Sequence, residues 1–179
     1  MGAKPDALQR RGTTITRPMQ VAALTDQCGI ALTWGGHHPV AVTADGRCLA
    51  WGRVDGGQLG VELDAAQITD ETLVMTDDSG RPHICLRAVV VGSDSLAPDE
   101  KVIGVACDTR HTLIVASVAS HVVLCAGFHM QAQLGLSRDA DDEVSFATRL
   151  GGKVLQQRGM AWACAGGQFS MVAGPRPCS

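Results

Sequence analysis

Apolar positions in this chain come in short runs of strand length, separated by Gly-rich corners. Pro39–Val40–Ala41–Val42–Thr43 is the first clear run. Ala44–Asp45–Gly46–Arg47 follows as a turn, since Asp-Gly tolerates the positive φ that a tight hairpin needs. Cys48–Leu49–Ala50–Trp51 predicts the returning strand, Gly52 ends it, and Gly56–Gly57–Gln58–Leu59–Gly60 forms a second sharp corner. Nothing in this stretch has helical spacing.

The pattern returns. Cys107 to Val115 (CDTRHTLIV) matches Trp34 to Val42 (WGGHHPVAV), which places His111 73 residues after His38. Cys125–Ala126–Gly127 matches Ala50–Trp51–Gly52, and Gln133–Leu134–Gly135 matches Gln58–Leu59–Gly60, both at an offset of 75. A truncated third copy begins at Ala163–Cys164–Ala165–Gly166–Gly167–Gln168–Phe169–Ser170, with Phe169 in the place of the repeated histidine, 58 residues after His111. Several strands per repeat of this length predict an all-β fold made of propeller blades.

Between the landmarks the chain is less regular. Residues 1–14 read as a disordered N-terminal tail, residues 15–173 as the repeat segment and residues 174–179 as a disordered C-terminal tail. Ile15 to Ala22 reads as an extended connector that Pro18 confines to an edge. Ile30–Trp34, Ile84–Val91, Val102–Ala106, Val144–Leu150 and Ala161–Ala173 supply further strands. Leu63 to Arg81 carries a short helix or an irregular loop, and Lys153 to Arg158 a single helical turn. The longer segment between the first two copies explains the unequal offsets.

Composition narrows the function classes. The chain has 179 residues and 45% hydrophobic content, enough for one packed domain. Its formal net charge of −3 gives no general attraction to nucleic acid. The 21 glycines suit short strands and tight corners. The seven cysteines include no Cys-x-x-Cys pair and fall largely within or beside the repeat strands, as reduced core thiols do. No run approaches the length of a membrane-spanning helix, and no apolar stretch after Met1 suggests a signal peptide.

Candidate chemistry is sparse. Cys107 and His111, and Cys125 and His129, have a Cys-x-x-x-His spacing, but the first pair is explained by the repeat and zinc needs four convergent ligands; no metal is expected. No Gly-x-Ser-x-Gly elbow occurs. The Gly56–Gly60 corner is not a Walker loop, because no Gly-Lys-Ser/Thr follows. No cofactor or small-molecule substrate is expected. Asp139, Asp141, Asp142 and Glu143 read as a solvated acidic loop. Arg53 and Asp55 on the Gly corner are better placed to meet a partner. His38 and His111, at the repeated position, read as buried histidines bonded to backbone at the blade corner. His37 precedes the strand at a loop position matched by Arg110 and Gln168, so these three should line one face.

The Gly-x-x-His start, apolar strand, Asp-Gly turn, Trp-Gly end and Gln-Leu-Gly corner resemble the regulator of chromosome condensation family. The phrases GGHHPVAVTADGRCLAWGRVDGGQLG and WACAGGQFSMVAG are similar to the C-terminal blades of its members that exchange nucleotide on the small GTPase Ran, in a fungal-type version. The resemblance covers residues 15–173 and implies a partial β-propeller, about two and a half of the family's seven blades. Gly35, His38, Gly52, Gly60, His111, Gly127 and Gly135 are then structural repeat positions. Asp108 replaces the family's usual glycine, Ala126 replaces the tryptophan, and Ser117–Ser120 lacks the Asp-Gly turn. The resemblance implies the C-terminal part of a Ran guanine nucleotide exchange factor that docks face-on, with His37 as the residue important for exchange; Arg110 and Gln168, by their matching tip positions, and Arg53 and Asp55, by their place on the Gly corner, are the other candidate partner contacts. It also implies a nuclear or cytoplasmic location, with the nucleus favoured, a role in nucleocytoplasmic transport, and chromatin contacts made by regions outside this sequence. The β-wedge that the family uses belongs to an earlier blade, so this chain alone is expected to be inactive. The alternative is a non-catalytic repeat module serving as a protein-interaction scaffold.

Overall fold

The computed structural model describes residues 24–175, apart from 26, 118–120 and 138. The expectations for residues 1–14 and 15–22, and for the tail from 176 onward, lie outside them, as does most of the connection at Ser117–Ser120. Among the described residues, eleven strands form three antiparallel sheets. The first contains β1 (Gly29–Trp34), β2 (Pro39–Thr43), β3 (Cys48–Arg53), β4 (Val74–Thr76) and β5 (Pro82–Val91), in the order β1-β2-β3-β5-β4. The second is a four-stranded meander of β6 (Lys101–Cys107), β7 (His111–Ser117), β8 (His121–Phe128) and β9 (Glu143–Arg149). The third is the pair β10 (Trp162–Gly166) and β11 (Phe169–Ala173).

The repeat read from the sequence is a repeat of register. In the first sheet Val40 pairs with Ala50, Ala41 with Leu49 and Val42 with Cys48. In the second, Leu113 pairs with Cys125, Ile114 with Leu124 and Val115 with Val123. These are the same positions at offsets of 73 and 75. The entry hairpins agree too: Trp34 pairs with Pro39, Cys107 with Thr112 and Ala165 with Ser170. A one-residue slip would turn every core side chain to the wrong face.

The sheets pack face to face. Val40, Val42, Cys48 and Ala50 meet Ile114 and Leu124 in one core. Leu113, Cys125 and Leu134 meet Ala163 and Ala165 in a second. Each such Val, Leu or Ile contributes on the order of 1.5–3 kcal/mol by leaving water. The seam also holds thiols. Burial pushes Cys107 up to about 11 and Cys125 up to about 12. All six cysteines among the described residues are free.

The long first connection carries the short helix, one of the two alternatives considered for it, and also an edge strand that the sequence reading did not foresee. Helix α1 (Ala65–Thr69) begins at Asp64, whose carboxylate accepts the Gln67 amide at 2.8 Å while the Gln67 side chain accepts the Asp64 amide at 2.9 Å. Strand β4 then adds an edge to the first sheet that the second sheet lacks. Helix α2 (Lys153–Gln157) is the expected single turn.

Candidate functional site

Strand direction puts the tips of the three entry hairpins at one end of the sheets, together with the corners that follow β3 and β8. Two backbone bonds fix this end. The Arg53 amide donates to the His37 carbonyl at 3.0 Å, and the Phe128 amide to the Arg110 carbonyl at 2.9 Å. Such close approach explains the glycine that precedes each donor. Gly52 has φ +95° and a Cβ there would lie 2.6 Å from the His37 carbonyl oxygen; Gly127, at φ +106°, faces the Arg110 carbonyl in the same way. Gly60 and Gly135 turn the next corner with φ of 71° and 70°. Gly35 lies directly against the Asp108 carbonyl, so the first two tips are packed together. Asp108 keeps the turn despite replacing glycine, because its amide donates to the His111 carbonyl at 3.0 Å as the Gly35 amide does to His38.

The repeated histidines are fully buried, but their partners differ from the expectation. Their side chains do not bond to backbone at their own corner; they reach across to the next sheet. His38 Nε2 lies 2.8 Å from Thr112 Oγ1, and His111 Nε2 lies 3.1 Å from Ser170 Oγ. Each hydroxyl follows the histidine position of the next copy. The reason is geometric: the corner backbone groups are already paired with one another, whereas the neighbouring sheet offers a free oxygen in the core. The Thr112 hydroxyl donates to the Gln58 carbonyl at 2.7 Å. Having one proton, it must accept from His38, which fixes the His38 proton on Nε2. His38 Nδ1 is left buried without a partner. Protonation would therefore bury an unpaired N–H, and the His38 pKa falls to about 4, mainly from burial, then from His111, with Asp108 opposing. Burial also lowers His111, opposed by the Asp108 carboxylate 3.9 Å from its Nδ1.

In front of this buried layer, His37, Arg110 and Gln168 are all exposed at matching tips. The Arg110 guanidinium sits over the Phe128 ring, 5.2 Å from its centroid, a cation–π contact that holds the charge outward. Arg53 and Asp55 make a two-pronged pair at 2.5 and 2.8 Å. This pairing holds the Asp55 carboxyl below the usual carboxylate range. Sequence reasoning missed His83, which joins the pair from β5 with Nδ1 3.3 Å from Asp55 Oδ2. It missed Thr112, Ser170 and Phe128 as well. The only signal for the two hydroxyls was their shared position after the repeat landmark. His129, weighed as a metal ligand, instead accepts the Leu134 amide on Nδ1 at 3.3 Å. No helix among the described residues is long and apolar enough to cross a membrane.

No protein-family model matches the chain. It is 33% identical to the protein pim1 of Schizosaccharomyces pombe over 93% of its own length and 29% of that protein. It is 27% identical to the protein RCC1 of Candida albicans over 91% of its length and 32% of that protein. Among solved structures, yeast RCC1 (Prp20) in complex with Kap60 matches 97% of the chain and 35% of the yeast protein, with a TM-score of 0.78 and 23% identity. The chain thus spans about a third of the length of these relatives. The repeated register, the propeller sheets and these similarities together show a partial β-propeller that resembles the C-terminal part of proteins of the regulator of chromosome condensation family.

Proposed function

We propose that the chain is the part of a guanine nucleotide exchange factor that docks on the small GTPase Ran through the hairpin-tip face. The Saccharomyces cerevisiae relative Prp20p is described with binding to Gsp1p and histones, which supports a GTPase partner and a chromatin partner for the longer protein. One observation carries the reading: three equivalent tips expose His37, Arg110 and Gln168, while the histidines behind them are fully buried. The backbone of the face is tied to the buried layer behind it by the Arg53–His37 and Phe128–Arg110 bonds, so the tip backbones are in place before binding. Exchange is not covalent chemistry. A factor that binds the GTPase more tightly without nucleotide lowers nucleotide affinity by the same factor. In this reading His37 makes the contact that distinguishes the two states. Arg110 and Gln168 supply flanking polar contacts, and Asp55, oriented by Arg53 and His83, supplies a fixed hydrogen-bond acceptor beside the paired guanidinium.

The test is binding of the chain to nucleotide-free and GDP-loaded Ran by calorimetry, with His37→Ala and Arg110→Ala beside the parent. The expected result is tighter binding to nucleotide-free Ran, weakened about tenfold, or about 1.4 kcal/mol, by His37→Ala at unchanged melting temperature. GDP release stimulated by the chain alone should stay slow. Equal binding by the variants would remove this face from the contact. Binding with no preference for the nucleotide-free form would favour the scaffold reading.

A further inference from the structure

We propose that Met130 is the apolar anchor of the hairpin-tip face, and that the GTPase sets an apolar side chain against it. The inference rests on the docking reading of that face. It comes from the two corners that follow β3 and β8, which share one backbone shape. The Gly57 amide donates to the Val54 carbonyl at 3.4 Å, and the Ala132 amide to the His129 carbonyl at 2.8 Å. The Gly60 amide donates to the Gly57 carbonyl at 2.9 Å, and the Gly135 amide to the Ala132 carbonyl at 3.0 Å. In each corner a buried glutamine side chain accepts the amide two residues before it: Gln58 from Gly56 at 2.8 Å, and Gln133 from Gln131 at 3.0 Å. The left-handed residue is kept too, with φ of 65° at Gly57 and 57° at Ala132. An alanine holds that conformation at a cost of about 1–2 kcal/mol. Met130 therefore stands where Asp55 stands.

The side chains on the two corners differ in kind. The first carries the ionic group of Arg53, Asp55 and His83. In the second, Phe128 takes the place of Arg53 and Met130 that of Asp55, with the Arg110 guanidinium over the Phe128 ring. Met130 is 58% exposed. A single exposed apolar side chain is ordinary on a protein surface, and the position gives this one its meaning. It stands on the face that presents His37, Arg110 and Gln168. Its exposure does not depend on the third sheet having two strands. The first corner lies over the complete second sheet, where a Cβ at Gly57 would come 2.9 Å from the Val144 carbonyl oxygen, and Asp55 is exposed there all the same. Interfaces set an apolar group within polar surroundings, with methionine and arginine enriched. The unbranched thioether of methionine fits an irregular partner surface.

Calorimetry of the full chain with nucleotide-free Ran tests the assignment, with His37→Ala measured beside the Met130 variants. Met130→Ala should weaken binding about tenfold, the loss expected of an interface anchor. Met130→Gln, of similar length but polar, should lose about as much, and Met130→Leu should bind within about twofold of the parent. Melting temperatures should be unchanged, because the side chain is exposed. The heat-capacity change of binding should be less negative for Met130→Ala than for the parent, since less apolar surface is buried. If His37→Ala weakens binding while Met130→Ala or Met130→Gln binds like the parent, the anchor is wrong and the docking face stands. Weaker binding by Met130→Ala with an unchanged heat-capacity change also overturns the anchor. No binding by the parent, or no loss in any variant, removes the docking face and the anchor together.

Discussion

Acidification should destabilise this protein through His38 before its carboxylates titrate. His38 is fully buried, donates from Nε2 to Thr112, and has an unpaired Nδ1. Its pKa lies at about 4 in the folded chain against 6.5 for the ordinary group. The folded state therefore binds the proton less well than the unfolded state, and stability is lost as pH falls from about 6.5 toward 4. That gap corresponds to about 3 kcal/mol, of which about 2 kcal/mol is already gone near pH 5. His111 shifts in the same direction and adds to the loss. The Asp108 carboxylate moderates both, while His37 reinforces the shift at His38. His38→Gln keeps a nitrogen donor for Thr112 and removes the titration. Urea unfolding of parent and variant between about pH 7 and pH 5 should show the parent losing about 2 kcal/mol more than the variant. Parallel pH profiles for the two proteins would mean that His38 does not resist protonation and that the Thr112 bridge is misassigned.

Three further outcomes follow from the seams. Thr112→Val should cost about 2 kcal/mol or more, because it strands the Gln58 carbonyl and the His38 donor in the core, while Thr112→Ser should retain most of the stability; denaturant melts compare them. Gly52→Ala should destabilise far more than Gly80→Ala, since both glycines have positive φ but only Gly52 faces a carbonyl; the open site should cost about 1 kcal/mol. Arg110→Lys should keep charge but lose planar stacking on Phe128, and should weaken Ran binding less than Arg110→Ala does, as read by calorimetry.

The strands were legible because apolar alternation and Gly corners are local signals. Val40–Thr43 and Leu113–Val115 show them directly, and Gly52 and Gly127 mark the end of the returning strand in each copy. The helix at Ala65–Thr69 was visible only as one of two options, since five residues carry little periodicity and its capping box lies in a polar stretch. The partners of His38 and His111 were not legible. A bond between residues 74 positions apart depends on how sheets stack, and that is set by the summed packing of Val40, Ile114, Leu124 and their neighbours rather than by any local pattern. His83 was missed for the same reason: only the pairing of β3 with β5 brings it to Asp55. The exposure of His37, Arg110 and Gln168 was readable, because a tip position repeated three times has one place to go.

Hydrogen exchange of the chain with and without nucleotide-free Ran tests the docking face most directly. The account predicts added protection at the hairpin tips around Gly36–His37, Thr109–Arg110 and Gly167–Gln168, and at the Arg53–Asp55 corner, with none at the opposite end around Asp45–Gly46. Protection confined to the Asp45–Gly46 end, or absent from all three tips while Ran is bound, would contradict it.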